Sequence, residues 1–107
     1  TEIATVVVSH ITPEETAELD LVPVKNHFRR HYKARLREAM FPLWIVLFEE
    51  LMLRRVSALV PSARLKTINA LKAVGFQHEG LIRQGVQLRN QPPEDLILLG
   101  LLRDDIY

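Results

Sequence analysis

The chain has 107 residues, 48% of them apolar, with four Gly, six Pro and a formal charge of +1. That length and composition predict one small packed domain and exclude a disordered tail, and the near-neutral charge gives no overall pull towards nucleic acid or membrane. There is no Cys, which excludes disulfides, thiolate metal sites and Cys nucleophiles and fits a reducing, cytoplasmic setting.

The N-terminus lacks the basic segment and continuous apolar region of a signal peptide. The longest apolar run, Phe41 to Phe48, is interrupted by Pro42 and falls far short of the roughly 20 residues that span a bilayer. A soluble protein is expected. The chain starts at Thr1 without Met and its first element is already a strand, so residues upstream are expected to have been removed or to be disordered.

Ile3 to Ile11 is rich in β-branched residues and predicts a strand, and Thr12-Pro13-Glu14-Glu15 predicts a turn. From Ala17 to Val24, Ala17, Leu19 and Leu21 alternate with Glu18, Asp20 and Val22, the period of a strand with one wetter face. Pro23 limits pairing near its end. Together the two strands predict a hairpin.

From Asn26 the period changes. Phe28, Tyr32, Leu36, Ala39, Met40, Leu43, Leu47, Phe48 and Leu51 trace an apolar stripe, predicting a long helix from Phe28 to Met52 with a bend at Pro42. Phe41, Leu43, Trp44 and Ile45 exceed what one helix face needs and predict a second covered face. Arg29, Arg30, His31, Lys33, Arg35 and Arg37 crowd the first turns, and Glu49 and Glu50 lie at the far end. Both placements oppose the helix dipole, and an anion at the helix start would account for the basic residues there.

Val56 to Val60 predicts a short buried strand, stopped by Pro61, with Ser62 as the expected N-cap of the next helix. Leu65, Ile68, Leu71 and Val74 recur every third position and predict that helix over Ala63 to Val74. Gly75 is placed for a left-handed C-terminal cap, and Phe76 begins another strand. Gly85 to Pro93 predicts a hairpin and Asp95 to Leu102 a last strand. The expected fold class is a mixed α/β (α+β) domain over residues 1–107, with at least one parallel βαβ crossover.

The stretch Gly75-Phe76-Gln77-His78-Glu79-Gly80-Leu81-Ile82-Arg83 resembles the closing part of the GNAT superfamily, the acetyl-coenzyme A-dependent N-acetyltransferases. It is most similar to the branch that acetylates ribosomal-protein N-termini and small amines. There a helix closes on Gly-Phe, followed by Glu-Gly and a basic residue, then by a hairpin ending in an Asp and an apolar strand, here Asp95 to Leu102. The resemblance covers roughly Thr5 to Ile106 but only the second half of the family's domain. It implies a GNAT-like mixed sheet lacking the N-terminal part of the family fold: a fragment, or an abbreviated member of the kind seen in phage-like genomes. The sheet edge and apolar surface left open by such an abbreviation favour a homodimer.

The resemblance implies acetyl-CoA (coenzyme A) as cofactor and an amine as acceptor. GNAT enzymes hold the cofactor's pyrophosphate on backbone amides at the start of the long helix, with the pattern Gln or Arg, two residues, Gly, one residue, Gly or Ala. If Arg29 takes the first position, Tyr32 replaces the first Gly and Ala34 fits the last. The other register puts His31 first, Ala34 at the first Gly and Leu36 last. Neither gives the full pattern. The candidate cofactor-binding residues are Phe28, Arg29, Arg30, His31, Lys33 and Ala34, with charged side chains replacing some of the missing backbone access. Val22 and Val24, in Leu21–Val24, together with Leu59–Val60, would face the pantetheine arm. The other reading of the basic cluster is a solvated or partner-binding face.

Many GNAT enzymes also carry an Asn after the central strand and a Tyr about one turn before Gly-Phe, which protonates the departing thiolate. Those positions hold Arg64 and Leu71. The candidate general bases are Glu18, in a family-like Ala-Glu-Leu context, and Glu79, which could equally pair with an Arg; Asp20 and His10 are further candidates. His27, His31 and His78 have no metal-ligand spacing. Three functions compete: an acetyltransferase acting on a protein N-terminus or small amine, a GNAT-like structural or partner-binding module without catalysis, and nucleic-acid binding through the basic helix. The first is the family-level reading.

Overall fold

The computed structural model of the chain describes residues 4–12, 15–23 and 32–106. The elements are β1 (Ala4–Ser9), β2 (Thr16–Pro23), α1 (Tyr32–Trp44), a π-helical segment (Ile45–Glu50), β3 (Arg55–Pro61), α2 (Leu65–Ala73), β4 (Gln77–Val86), β5 (Glu94–Leu102) and a closing 3-10 turn (Arg103–Asp105). The strands form one mixed sheet in the order β1-β2-β3-β5-β4. β1 and β2 are the expected antiparallel hairpin. β2 and β3 run parallel, joined by the crossover through α1. β5 enters between β3 and β4 and is antiparallel to both, so β4 runs parallel to β3 without touching it.

Alternation decides which side of the sheet is covered. Ala17, Leu19 and Leu21 of β2, Val56, Ala58 and Val60 of β3, and Leu99 and Leu101 of β5 are all buried. They meet Leu36, Met40, Trp44, Leu47 and Phe48 from the first helical stretch, Ile68, Ala70 and Leu71 from α2, and Val74 at its C-terminal cap, in one core. Both helices therefore lie on one face, and the residues between the buried ones, such as Glu18, Asp20 and Leu59, point to the other face, which carries no helix among the described residues.

Several sequence expectations change in the packed molecule. The stripe through the first helix runs Leu36, Met40, Trp44, Phe48, a strict i, i+4 row. Trp44 thus belongs to the core, where its ring is tilted against Phe48 at 6.3 Å and Phe76 at 6.1 Å. Its supposed companions on a second covered face, Phe41 and Ile45, are exposed, and so is Leu51. The helix does not continue in α form to Met52. At Ile45 the ladder widens, and Leu51 N–H donates to the Val46 carbonyl five residues back at 2.9 Å. The wider π turn lets the adjacent Leu47 and Phe48 both bury.

Ser62 is not an N-cap. The Arg64 N–H donates back to the Pro61 carbonyl at 2.9 Å, so Ser62 sits inside a tight turn and Arg64 takes the cap position with no side-chain hydrogen bond. Leu65, expected on the buried face of α2, is exposed, and Thr67 is buried instead. The other end of α2 follows the sequence. Gly75 has φ +118°, and the Phe76 and Gly75 N–H groups donate to the Leu71 and Lys72 carbonyls at 3.0 and 3.2 Å, the pairing of a Schellman cap.

Candidate functional site

The feature that sets this sheet apart is the seam between its two parallel strands. The β2–β3 ladder joins only Thr16 with Arg55, Ala17 with Val56 and Glu18 with Ser57. Beyond that point the strands part. Leu19–Pro23 stay paired to β1 and Ala58–Pro61 to β5, yet neither segment has a ladder partner across the seam. Each therefore presents one row of backbone N–H and C=O groups to the gap, and such groups need partners when water is excluded. The gap opens at the carboxyl ends of both strands. From there β3 passes through the short turn into α2, and β2 leads through the basic stretch into α1.

Glu18 occupies the fork itself. It is the last residue of β2 paired to β3, it is exposed on the helix-free face, and His10 Nδ1 lies 3.0 Å from its Oε2. Asp20, two residues on, is exposed on the same face at the rim of the gap. Val22 lies in the parted segment of β2, and Lys33 and Ala34 lie in the first turn of α1. The structure thus brings Glu18 and Val22 to one seam. Val24, Phe28, Arg29, Arg30 and His31 fall outside the described residues.

Glu79, the other candidate base, sits three strands away in a bulge of β4 between His78 and Gly80. Its carboxylate takes a bidentate pair from Arg55, whose Nη1 donates to Oε2 at 3.0 Å and whose Nη2 donates to Oε1. Arg55 Nε in turn donates to Ser57 Oγ at 3.1 Å. The hydrogen bond from Arg55 holds the Glu79 carboxyl below its ordinary pKa against the opposing effect of burial, and the Arg55 guanidinium is raised in return. A carboxylate so held is a weaker proton acceptor. Gly100 makes the pair possible: its strand neighbour on one side is Ser57, and a Cβ there would overlap the Glu79 carboxylate.

The sign of the pH effect follows. Because the folded pKa of Glu79 is depressed, the pair stabilises the fold above the ordinary carboxylate pKa, and that contribution is lost as pH falls through the lower folded value. Glu79→Gln is expected to cost about 1 kcal/mol or less at neutral pH, in keeping with a bidentate pair whose carboxylate is exposed, and nothing once acid has protonated the parent's carboxyl. Gly100→Ala is expected to flatten the acid limb in the same way, because the new methyl evicts the carboxylate. Urea melts across the acid range check both; an unchanged acid limb in either variant would count against the pair as the cause.

The basic residues of α1 divide. Arg37 Nε and Nη2 donate to the Ala73 carbonyl at 3.1 and 2.9 Å, closing the C-terminus of α2 with a cation that its dipole favours. Sequence spacing gave no sign of this, since the two residues are far apart in the chain. Asp95, noted in the sequence as the acid after the hairpin, accepts from the Gln84 N–H at 2.8 Å and so fixes the turn-side end of β4. Asp105, unremarked in the sequence, accepts from Gln77 Nε2 at 2.9 Å and the Leu102 N–H at 2.8 Å, tying the end of β5 to the start of β4.

Solved structures were compared with this arrangement. The chain superposes on an acetyltransferase of the GNAT family from Bacillus anthracis with TM-score 0.75 and 20% identity, covering 95% of this chain and 59% of that one. The fold is that of the GNAT acetyltransferases. A chimera of the Vibrio cholerae spermidine N-acetyltransferase SpeG and hSSAT matches with TM-score 0.75 and 19% identity, over 95% of this chain and 60% of that one. The chain therefore spans about three-fifths of the length of these GNAT structures. No protein-family model and no curated protein matches the sequence. Among the described residues, no helix of this GNAT fold is long and apolar enough to cross a membrane.

Proposed function

We propose that the chain serves acetyl transfer from acetyl-CoA to an amine, a protein N-terminus or a small amine. One observation carries the reading: in a GNAT fold, the two parallel strands part after Glu18 and Ser57 and leave two facing rows of unpaired backbone groups. An extended chain bearing amides, such as a pantetheine arm, fits that gap by adding hydrogen bonds on both sides, much as a peptide adds to a sheet edge. Bound there, acetyl-CoA supplies an acetyl thioester. Arg29, Arg30, His31 and Lys33 follow β2 at the open end of the seam in sequence, and they are proposed to hold the phosphates through charge-assisted hydrogen bonds. Glu18, at the fork and open to solvent, is proposed to take the proton from the attacking amine nitrogen.

The test is calorimetric titration with acetyl-CoA. The parent is expected to bind in the micromolar range. Arg29→Ala with Arg30→Ala is expected to weaken binding by roughly 10- to 100-fold, from the loss of charge-assisted contacts, with an unchanged melting temperature. Parent protein that does not bind at millimolar cofactor overturns the reading.

A second reading, a GNAT-like module without catalysis that binds a partner or supports an assembly, is favoured by a specific feature. Leu71, at the position where the resemblance implies a thiolate-protonating Tyr, is fully buried in the core. Cofactor binding without transfer to any amine would select this second reading.

A further inference from the structure

The last rung of the β2–β3 ladder pairs Glu18 with Ser57, so two side chains flank the fork, one from each strand. Both lie on the sheet face away from the helices. Glu18 stands between buried Ala17 and Leu19, and Ser57 between buried Val56 and Ala58. Their backbones are about 5 Å apart, the spacing of neighbouring strands. The proposed chemistry uses Glu18 and leaves Ser57 idle.

Ser57 is nevertheless held in place by a line of polar contacts that starts two strands away. On β4, Glu79 takes both Nη groups of Arg55, one of them at 3.0 Å. Arg55 then donates its Nε–H to Ser57 Oγ at 3.1 Å. The line crosses β5 at Gly100, the neighbour of Ser57, where any side chain would collide with the Glu79 carboxylate. A guanidinium has donors and no acceptor. The Ser57 proton is therefore directed away from Arg55, and the Nε–H fills one lone pair of the oxygen. Glu18, the carboxylate beside Ser57 in register, faces His10 instead, with Oε2 3.0 Å from Nδ1. A cationic N–H on the oxygen also polarises the O–H and makes it a stronger donor. Ser57 thus presents an oriented hydroxyl donor where the gap begins.

We propose that Ser57 is a second catalytic residue of the acetyl transfer, donating its O–H to the thioester carbonyl oxygen, and that Arg55 and Glu79 are positioning residues acting through it. This rests on the acetyl-transfer reading. Ser57 holds the negative charge that gathers on the carbonyl oxygen as the C–N bond to the amine forms. Glu18 takes the nitrogen's proton, and the C–S bond breaks with its electron pair leaving on sulfur as thiolate. Ser57 keeps its own proton throughout, so its contribution falls on kcat and not on cofactor binding.

The test runs the full chain with acetyl-CoA and two acceptors, a peptide with a free N-terminus and an alkyl diamine. Ser57→Ala is expected to lower kcat by roughly 10- to 100-fold, with KM for acetyl-CoA and the melting temperature hardly changed. Ser57→Thr, which keeps the hydroxyl on a residue that suits a strand, is expected to recover most of the loss. Arg55→Lys is expected to slow the parent but to leave Ser57→Ala no slower; equal slowing in both backgrounds would make Arg55 a structural residue only and overturn its positioning role. A readout without acceptor is the infrared carbonyl stretch of bound acetyl-CoA. It is expected to lie lower on the parent than on Ser57→Ala, because a hydrogen bond weakens the C=O bond. A parent that binds no acetyl-CoA, or binds it and transfers to neither acceptor, overturns the acetyl-transfer reading and this role with it. A parent that transfers, beside a Ser57→Ala variant that is as fast or shows the same carbonyl stretch, overturns this role alone.

Discussion

Trp44→Ala is expected to lower the unfolding free energy by about 3–5 kcal/mol, the range for removing a large aromatic from a packed core. For a domain of this size total stability is of order 5–15 kcal/mol, so the variant should sit near the threshold of folding at ordinary temperature. The reason is position. Trp44 is 1% exposed and touches Phe48 on the π-helical segment and Phe76 beyond the cap of α2. Its removal opens a cavity where the first helical stretch meets the start of β4. Trp44→Phe keeps most of the ring contact and is expected to cost about half as much or less. Urea unfolding measures both; a loss below about 1 kcal/mol for the Ala variant would mean that the helical layer is not held through this residue.

Glu18→Gln carries the largest expected effect on activity. With a parent that acetylates an amine, kcat/KM is expected to fall by roughly 10²- to 10⁴-fold, the usual contribution of a positioned general base. Acetyl-CoA affinity and stability should hardly change, because Glu18 is exposed on the face away from the core. Asp20→Asn, two residues along the same face, is expected to have a much smaller effect, since it lies beyond the fork rather than at it. A Glu18→Gln enzyme within fivefold of the parent would assign the proton to another group or to water.

The seam lies between β2 and β3, inside the sheet. The paired Arg55 and Glu79 stand on the other side of β3 from the seam, bridging past β5 to β4. They brace the strand whose far half stands open.

The order of elements, the hairpin of β1 and β2, the strand at Val56–Val60 and the cap at Gly75 were legible in the residues, because they follow from local rules. Side chains alternate along a strand and repeat every three to four positions along a helix, and a positive φ after a helix asks for Gly. The ordered set from Gly75 to Leu102 even pointed to the right fold. What the sequence could not supply was anything settled between distant segments. Leu65 and Thr67 fit the spacing of α2 about equally well, and only docking against the sheet chose Thr67. Trp44 looked surplus until the i, i+4 row met Phe76. Arg37 read as one more cation at a helix start, yet its partner is a carbonyl at the end of another helix. Glu79 read equally as a base or as the partner of an Arg, and which Arg was open: Arg55 reached it only because β5 came between β3 and β4 with a Gly at the crossing. The parting of β2 and β3 likewise leaves no trace in either strand, since each parted segment is paired on its other side. Local periodicity is written in neighbouring residues; the partner across a seam is fixed only when the whole sheet has assembled.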